Sequence, residues 1–160
     1  MQPTIYTIGH SNLSYMRFVS LIQENHITHI IDIRSIPYSR HAPWSSKSRL
    51  AELLRPFKIR YTYLGHKLGG KKQPIDEISK QQGITPQEIY RESISFLMSL
   101  SKTDKIALMC AEADPALCHR QKIVAQNLLD RGVTVLHILK DGTIIPAWRE
   151  EIEPEQLLLL

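Results

Sequence analysis

The side chains best suited to chemistry fall in four short stretches of this 160-residue chain. They are Gly9-His10-Ser11-Asn12, the segment from Asp32 through Arg34 to Ser39-Arg40, the turn Leu68-Gly69-Gly70-Lys71-Lys72, and the run from Cys110 through Glu112 to Cys118-His119-Arg120. Histidine and carboxylates exchange protons near neutral pH. Arginine holds phosphate or carboxylate through two parallel hydrogen bonds. A cysteine at a helix start, beside histidine and arginine, is drawn toward the thiolate. On these grounds His10, Asp32, Glu112 and Cys118 are the candidate catalytic residues. Ser11, Arg34, Ser39, Arg40, Gly69, Gly70, His119 and Arg120 are the candidates for holding a substrate or anion.

Each candidate also has a purely structural reading. His10 can bond a loop carbonyl, and Asp32 at a strand end can cap or pair with Arg34. Glu112 can accept backbone N–H groups. Cys110, closing an apolar strand, reads as a small buried hydrophobe. Gly69-Gly70 reads first as backbone at positive φ and second as a phosphate cradle. Cofactor patterns are incomplete. The Gly-Gly pair lacks Walker spacing, and Gly9 has no partner glycines of a dinucleotide fingerprint. The sixth residue on from Cys110 is Ala116, so the Cys-x5-Arg phosphate loop is missing. Cys110, Cys118, His119, His10 and His137 are metal-ligand types, yet their spacing matches neither paired zinc Cys-x-x-Cys nor a His-Glu-x-x-His helix. No metal is assigned and no cofactor is specified.

The elements that must position these residues alternate. Thr4 to Ile8 reads as a strand, followed by a helix capped by Ser14 that ends near Asn25-His26. Ile27 to Ile33 is a nearly continuous apolar strand, as expected when helices cover both faces. A polar loop from Arg34 to Ser46 leads to a short helix through Leu50, Leu53 and Leu54, stopped by Pro56. Ile59 to Leu64 is the third strand, and its tyrosines suit an edge. Gly65 to Gly83 reads as a long basic loop. Thr85-Pro86-Gln87-Glu88 forms a capping box with proline at the first helical position. Lys105 to Cys110 is the fourth strand, Cys118 to Arg131 a helix, and Val133 to Leu139 the fifth strand. Asp141-Gly142 turns the chain into an antiparallel return over Thr143 to Ile145.

This alternation predicts a single α/β domain over residues 1–160, three-layered αβα, with a mostly parallel five-stranded sheet and a C-terminal β-hairpin extension. The simplest strand order is 3-2-1-4-5. A ligand crevice then opens at the carboxyl ends of strands 1 and 4, with His10 and Glu112 on one cleft. There Arg120 would stand at a wet cleft with few core contacts. Lys71, Lys72, Lys122 and His41 add positive charge at the same edge.

Composition sets outer bounds. Hydrophobic residues make up 42% and the formal charge is +4, which suits a globular domain and permits an anionic partner. Two cysteines are too few for a secreted disulfide scaffold, and the N-terminus lacks a signal-peptide pattern. No apolar run reaches spanning length, the terminal Leu157 to Leu160 included, so a cytoplasmic protein without membrane contact is expected.

Four motifs in order carry a resemblance: Thr7-Ile8-Gly9-His10-Ser11, Asp32-x-Arg34-x-x-Pro37-x-Ser39-Arg40, Leu68-Gly69-Gly70, and Cys110-x-Glu112 leading to Cys118-His119-Arg120. Together they resemble the family catalogued as domain of unknown function 488, over roughly Thr4 to Gly142, with 143–160 less typical. His137-Ile138 and Asp141-Gly142 fit its closing segment. The resemblance implies that the motif positions form the family's site, and it implies no substrate or reaction.

Three functions compete. The first is an enzyme acting on a phosphate-bearing substrate such as a nucleotide or nucleic acid. Arg34, Arg40 and Arg120 would hold the anion, and Glu112, Asp32 or His10 would move protons. The second is a thiol enzyme of sulfur- or phosphoryl-transfer type using Cys118 or Cys110. The third is a non-catalytic nucleotide- or nucleic-acid-binding module using Lys67, Lys71 and Lys72 with Trp44, Tyr61 and Tyr63. The first is favoured, because acid–base and anion-binding groups occur together.

Overall fold

The structure is a computed structural model that describes residues 2–71 and 77–151. Lys72 and the terminal leucines 157–160 lie outside the described residues. The strands are β1 (Thr4–Gly9), β2 (His29–Asp32), β3 (Arg60–Tyr63), β4 (Ile106–Cys110), β5 (Thr134–Ile138) and β6 (Ile144–Pro146). The helices are α1 (Tyr15–Glu24), α2 (Lys47–Leu54), α3 (Gly65–Leu68), α4 (Glu77–Gln81), α5 (Pro86–Leu100) and α6 (Gln126–Asp130). Local sequence chemistry sets several boundaries. The Ser14 hydroxyl accepts the Arg17 N–H at the start of α1, and Thr85 with Glu88 closes both bonds of the capping box on α5.

The six strands form one sheet in the order β3-β2-β4-β1-β5-β6, parallel except for the β5–β6 pair. The hairpin expected from Asp141-Gly142 is present, with Gly142 at φ 92. The order 3-2-1-4-5 is corrected: β4, not β1, occupies the position beside β2. The reason lies in burial. Every residue of β2 and of β4 is buried, whereas β1 and β5 each begin with alternate half-buried residues, Thr4 and Tyr6 in β1 and Thr134 and Leu136 in β5. The two strands that need cover at every position lie side by side under the helices of both faces, and the two that alternate lie side by side beyond them. The pairing of β1 with β4 itself is as expected, parallel and in register from Tyr6 opposite Ala107 to Gly9 opposite Cys110.

Helices cover both faces, which makes the three layers. Phe18, Leu21 and Ile22 of α1 and Leu50 and Leu54 of α2 pack on Ile30, Ala107 and Met109. On the other face Ile94 and Leu97 of α5 and Leu128 of α6 pack on Ile31, Ile106, Leu108 and Cys110. The alternation of Ala107 and Met109 against Ile106, Leu108 and Cys110 is the pleat of β4, and it aims Cys110 toward the α6 side. Two segments depart from expectation. The loop from Gly65 contains the short helices α3 and α4, and the helix after Cys118 begins as a π-helical turn, Arg120–Ala125, before α6. Among the described residues no helix is long and apolar enough to cross a membrane.

Candidate functional site

Two buried arginines organise the carboxyl end of the sheet. Arg34 lies just beyond β2 and is 4% exposed. Its Nε donates to Asp32 Oδ1 at 2.9 Å and its Nη2 to Asp32 Oδ2 at 2.8 Å. Nη2 also donates to the Ser45 carbonyl at 2.6 Å, and Nη1 to Ser45 Oγ at 2.9 Å and His10 Nε2 at 3.2 Å. All five guanidinium N–H groups are thereby used inside the protein. The second Asp32 oxygen also accepts the Tyr61 hydroxyl at 2.6 Å, and the first accepts the Arg34 backbone N–H at 3.0 Å. His10 is fully buried. With Nε2 accepting from Arg34, Nδ1 carries the proton and donates to the Ser11 carbonyl at 2.9 Å. Burial, aided by the Arg34 charge, lowers its pKa to about 4, so it is neutral at physiological pH.

The second arginine serves sulfur. Arg120 is completely buried, its Nη1 standing 2.7 Å from Cys110 Sγ and 2.5 Å from the Glu112 carbonyl. Its Nη2 donates to the Ala113 carbonyl at 2.9 Å, while its buried Nε has no hydrogen-bond partner among the described residues. The expectation that Arg120 makes few core contacts is therefore corrected. Gly9 makes room for it, since a Cβ there would lie 1.8 Å from the Glu112 carbonyl oxygen and 2.7 Å from Arg120 Nη1.

Cys110 Sγ and Cys118 Sγ are 2.8 Å apart, and both thiols are free. His119 Nδ1 stands 3.7 Å from Cys118 Sγ, with Nε2 on the Ile33 carbonyl at 3.2 Å. The hydrogen bond from Cys110, with His119, the Arg120 backbone N–H and the Arg120 charge, outweighs burial and draws the Cys118 thiol down to about 4. Burial pushes the Cys110 thiol up, and holding the shared proton adds to this. The pair carries one proton and one negative charge, with the guanidinium beside Cys110 balancing it.

The two sulfurs lie at the floor of a cleft of about 470 Å³ walled by the loops after β2 and β4, by Gly70-Lys71 and by Leu117 to His119. Because β4 sits beside β2, the loop after β2 rather than His10 forms the opposite wall. The placement of His10 and Glu112 on one cleft is corrected accordingly: Glu112 lines it and His10 lies buried outside its lining. Of the other candidates, Arg34, Gly70, Cys118 and His119 line the cleft, whereas Asp32, Ser11, Ser39, Arg40, Gly69 and Arg120 do not. Ser11 holds a strained φ of 42. The Ser39 hydroxyl accepts the His41 N–H, and Arg40 is exposed.

Gly69-Gly70 does not take the positive φ expected of it; Gly69 has φ −64. Its glycine identity comes from crowding, because a Cβ would lie 2.3 Å from Ser35 Oγ. The sequence reading missed Ser35, Ile36 and Tyr38 as cleft residues and set Cys110 aside as core. The signal for Ile36 and Tyr38 was an apolar pair inside a polar loop. The aromatic residues of the binding-module reading serve packing. Trp44 packs on Phe18 with tilted rings 5.0 Å apart, and Tyr63 donates to the Ser35 carbonyl. His137 is likewise buried between Thr7 Oγ1 and Gln121 Oε1, at 2.6 and 2.8 Å. Among the described residues no group of three or more His, Cys, Asp or Glu side chains is placed to hold a metal ion.

Comparison with known proteins returned no curated protein and no solved structure. A family model did match, over residues 14–128, a span that takes in the Arg34 segment, the Gly-Gly turn and the whole cysteine run and leaves out His10 and Asp141-Gly142. The chain belongs to the family described as domain of unknown function DUF488.

Proposed function

We propose that this protein is a thiol-dependent enzyme in which Cys118 is the nucleophile, acting on a small sulfur-centred electrophile in a reducing, cytoplasmic setting. The observation that carries this is the Cys110–Cys118 approach of 2.8 Å at a cleft floor, backed by a buried arginine at 2.7 Å. A thiolate poised this way is both ionised and directed. In the transfer step the Cys118 sulfur attacks the electrophilic sulfur of the substrate and a new S–S bond forms. The old bond breaks, and its electron pair leaves on a thiolate that takes the proton held by Cys110. A second thiol then releases the group from Cys118. Exposed Ile36, Tyr38 and Leu117 at the cleft favour a substrate with an apolar body.

The phosphate-substrate reading loses support from the arginines, since Arg34 has no unused donor and Arg120 is sealed. It keeps Glu112 and Lys71 on the cleft wall, with Arg40 exposed on the loop after β2. Phosphoryl transfer asks for convergent cationic or N–H donors around one anion, and sulfur exchange does not. Alkylation by iodoacetamide, read for each cysteine by peptide mass spectrometry across pH, tests the proposal. Cys118 is expected to react at a nearly constant rate between about pH 5.5 and pH 8, because its thiolate is already formed. A Cys118 rate that climbs about tenfold per pH unit, like an ordinary thiol, or that does not exceed that of Cys110, overturns it.

A further inference from the structure

Once Cys118 carries an adduct, the nearest group able to release it is the second sulfur. Cys110 Sγ is 2.8 Å from Cys118 Sγ, and a disulfide needs only about 2.05 Å. A closure of less than one ångström therefore converts the hydrogen-bonded pair into a covalent one. Both sulfurs are buried, Cys110 at 2% and Cys118 at 5% exposure, and both line the cleft. Cys118, which accepts the Cys110 hydrogen bond and has His119 at its sulfur, is the one held as thiolate and attacks first. Arg120 stands at Cys110 Sγ and stabilises a thiolate there at the moment of attack.

We infer that Cys110 is the resolving thiol of a two-electron dithiol–disulfide centre whose substrate is a small organic disulfide. The inference rests on the nucleophile reading of Cys118 and names the substrate class of that site. The sequence of bonds is balanced. Cys118 sulfur attacks one sulfur of R–S–S–R, the protein–substrate disulfide forms and the first RS⁻ leaves. Cys110 then loses its proton to a departing thiolate and attacks Cys118 Sγ. The mixed disulfide breaks, the second RS⁻ leaves and the Cys110–Cys118 disulfide remains. The substrate gains two electrons and two protons as two thiols; the protein pair gives up both electrons and the one proton it holds, and water supplies the second proton. A dithiol reductant restores the reduced pair.

The full chain, reduced and freed of reductant, is mixed with the aryl disulfide dithiodipyridine. Released thiopyridone is monitored by absorbance and the product by intact mass. The wild type is expected to release two thiopyridones per chain and to end with no adduct, its mass lower by two hydrogens. Cys110→Ser and Cys110→Ala are each expected to release one and to keep a mixed disulfide at Cys118. Cys118→Ser is expected to slow the release at least tenfold. A wild type that stops at one thiopyridone with a stable adduct on Cys118 overturns the resolving role of Cys110 and leaves Cys118 as nucleophile. Rapid release by Cys118→Ser overturns the nucleophile reading as well. The wild-type product mass decides the resolving step even if the Cys110 variants fail to fold.

Discussion

Arg34 and Arg120 are both buried at the carboxyl end of the same sheet, yet their surroundings differ. Arg34 faces two carboxylate oxygens, a hydroxyl, a carbonyl and an imidazole nitrogen, and every donor is used. Arg120 faces two carbonyls and a sulfur, with Nε unpartnered among the described residues. A fully satisfied buried charge is architecture: it joins β2, the loop carrying Ser45, β3 through Tyr61 and the end of β1 through His10. A charge partnered to a thiol pair at a cleft floor is chemistry held in reserve. The charged residue most exposed to solvent is a poor guide here, because both arginines are hidden and only one supports an ionised group that meets the cleft.

The largest expected effect breaks the architectural side. Asp32→Ala removes the carboxylate from a sealed guanidinium and should cost about 3–5 kcal/mol in urea unfolding. A cost under about 1 kcal/mol would mean that Arg34 finds water, and the contrast with Arg120 would fail.

Acid should loosen both clusters. His10 and His137 have folded pKa values near 4 against 6.5 unfolded, in both cases chiefly through burial. Between those values the unfolded chain binds more protons, so the stability is fully present above about pH 6.5 and is lost as pH falls toward 4. From pH 7 to pH 4.5 the loss should be roughly 2–3 kcal/mol per histidine, read as a lower urea midpoint at unchanged m-value. An unchanged midpoint would show that the two rings reach solvent.

The chemical side is tested by Arg120→Met, which keeps the bulk and removes the charge. Cys118 alkylation at about pH 6 should fall at least tenfold, one pKa unit or more toward an ordinary thiol. An unchanged rate would leave the Cys110 hydrogen bond, His119 and the residue-120 backbone N–H as the supports of the thiolate. The smallest effect belongs to Glu112→Gln. Its exposed side chain caps the Ala113 N–H at 3.1 Å, so stability should move by less than about 0.5 kcal/mol and Cys118 alkylation by less than about twofold. A large loss of thiol reactivity would return Glu112 to the centre of the site.

Features decided within a few residues of one another are legible in the chain alone. Ser14 and the Thr85–Glu88 box start helices because a side chain bonds a backbone N–H three positions away, and Asp141-Gly142 turns the chain because glycine takes φ 92 there. The α/β class and the β1–β4 neighbourhood came from alternation and handed crossovers. Which polar residues are spent on architecture is settled only by packing in three dimensions. Arg34 meets His10 and Ser45 across 24 and 11 positions of sequence, and its partner Asp32 is held by Tyr61 across 29, so its saturation is invisible in its own motif. The exchange of β4 into the place given to β1 moved the cleft from the β1 loop to the β2 loop and left His10 in the core. Cys110 and Cys118 are eight residues apart, a spacing that fixes no geometry in itself. Their contact exists because β4 aims Cys110 at the α6 face, where the chain returning through Pro115–Leu117 delivers Cys118. Through-space partners, supplied by strands distant in sequence, set the protonation of a buried group, and a motif read along the chain does not contain them.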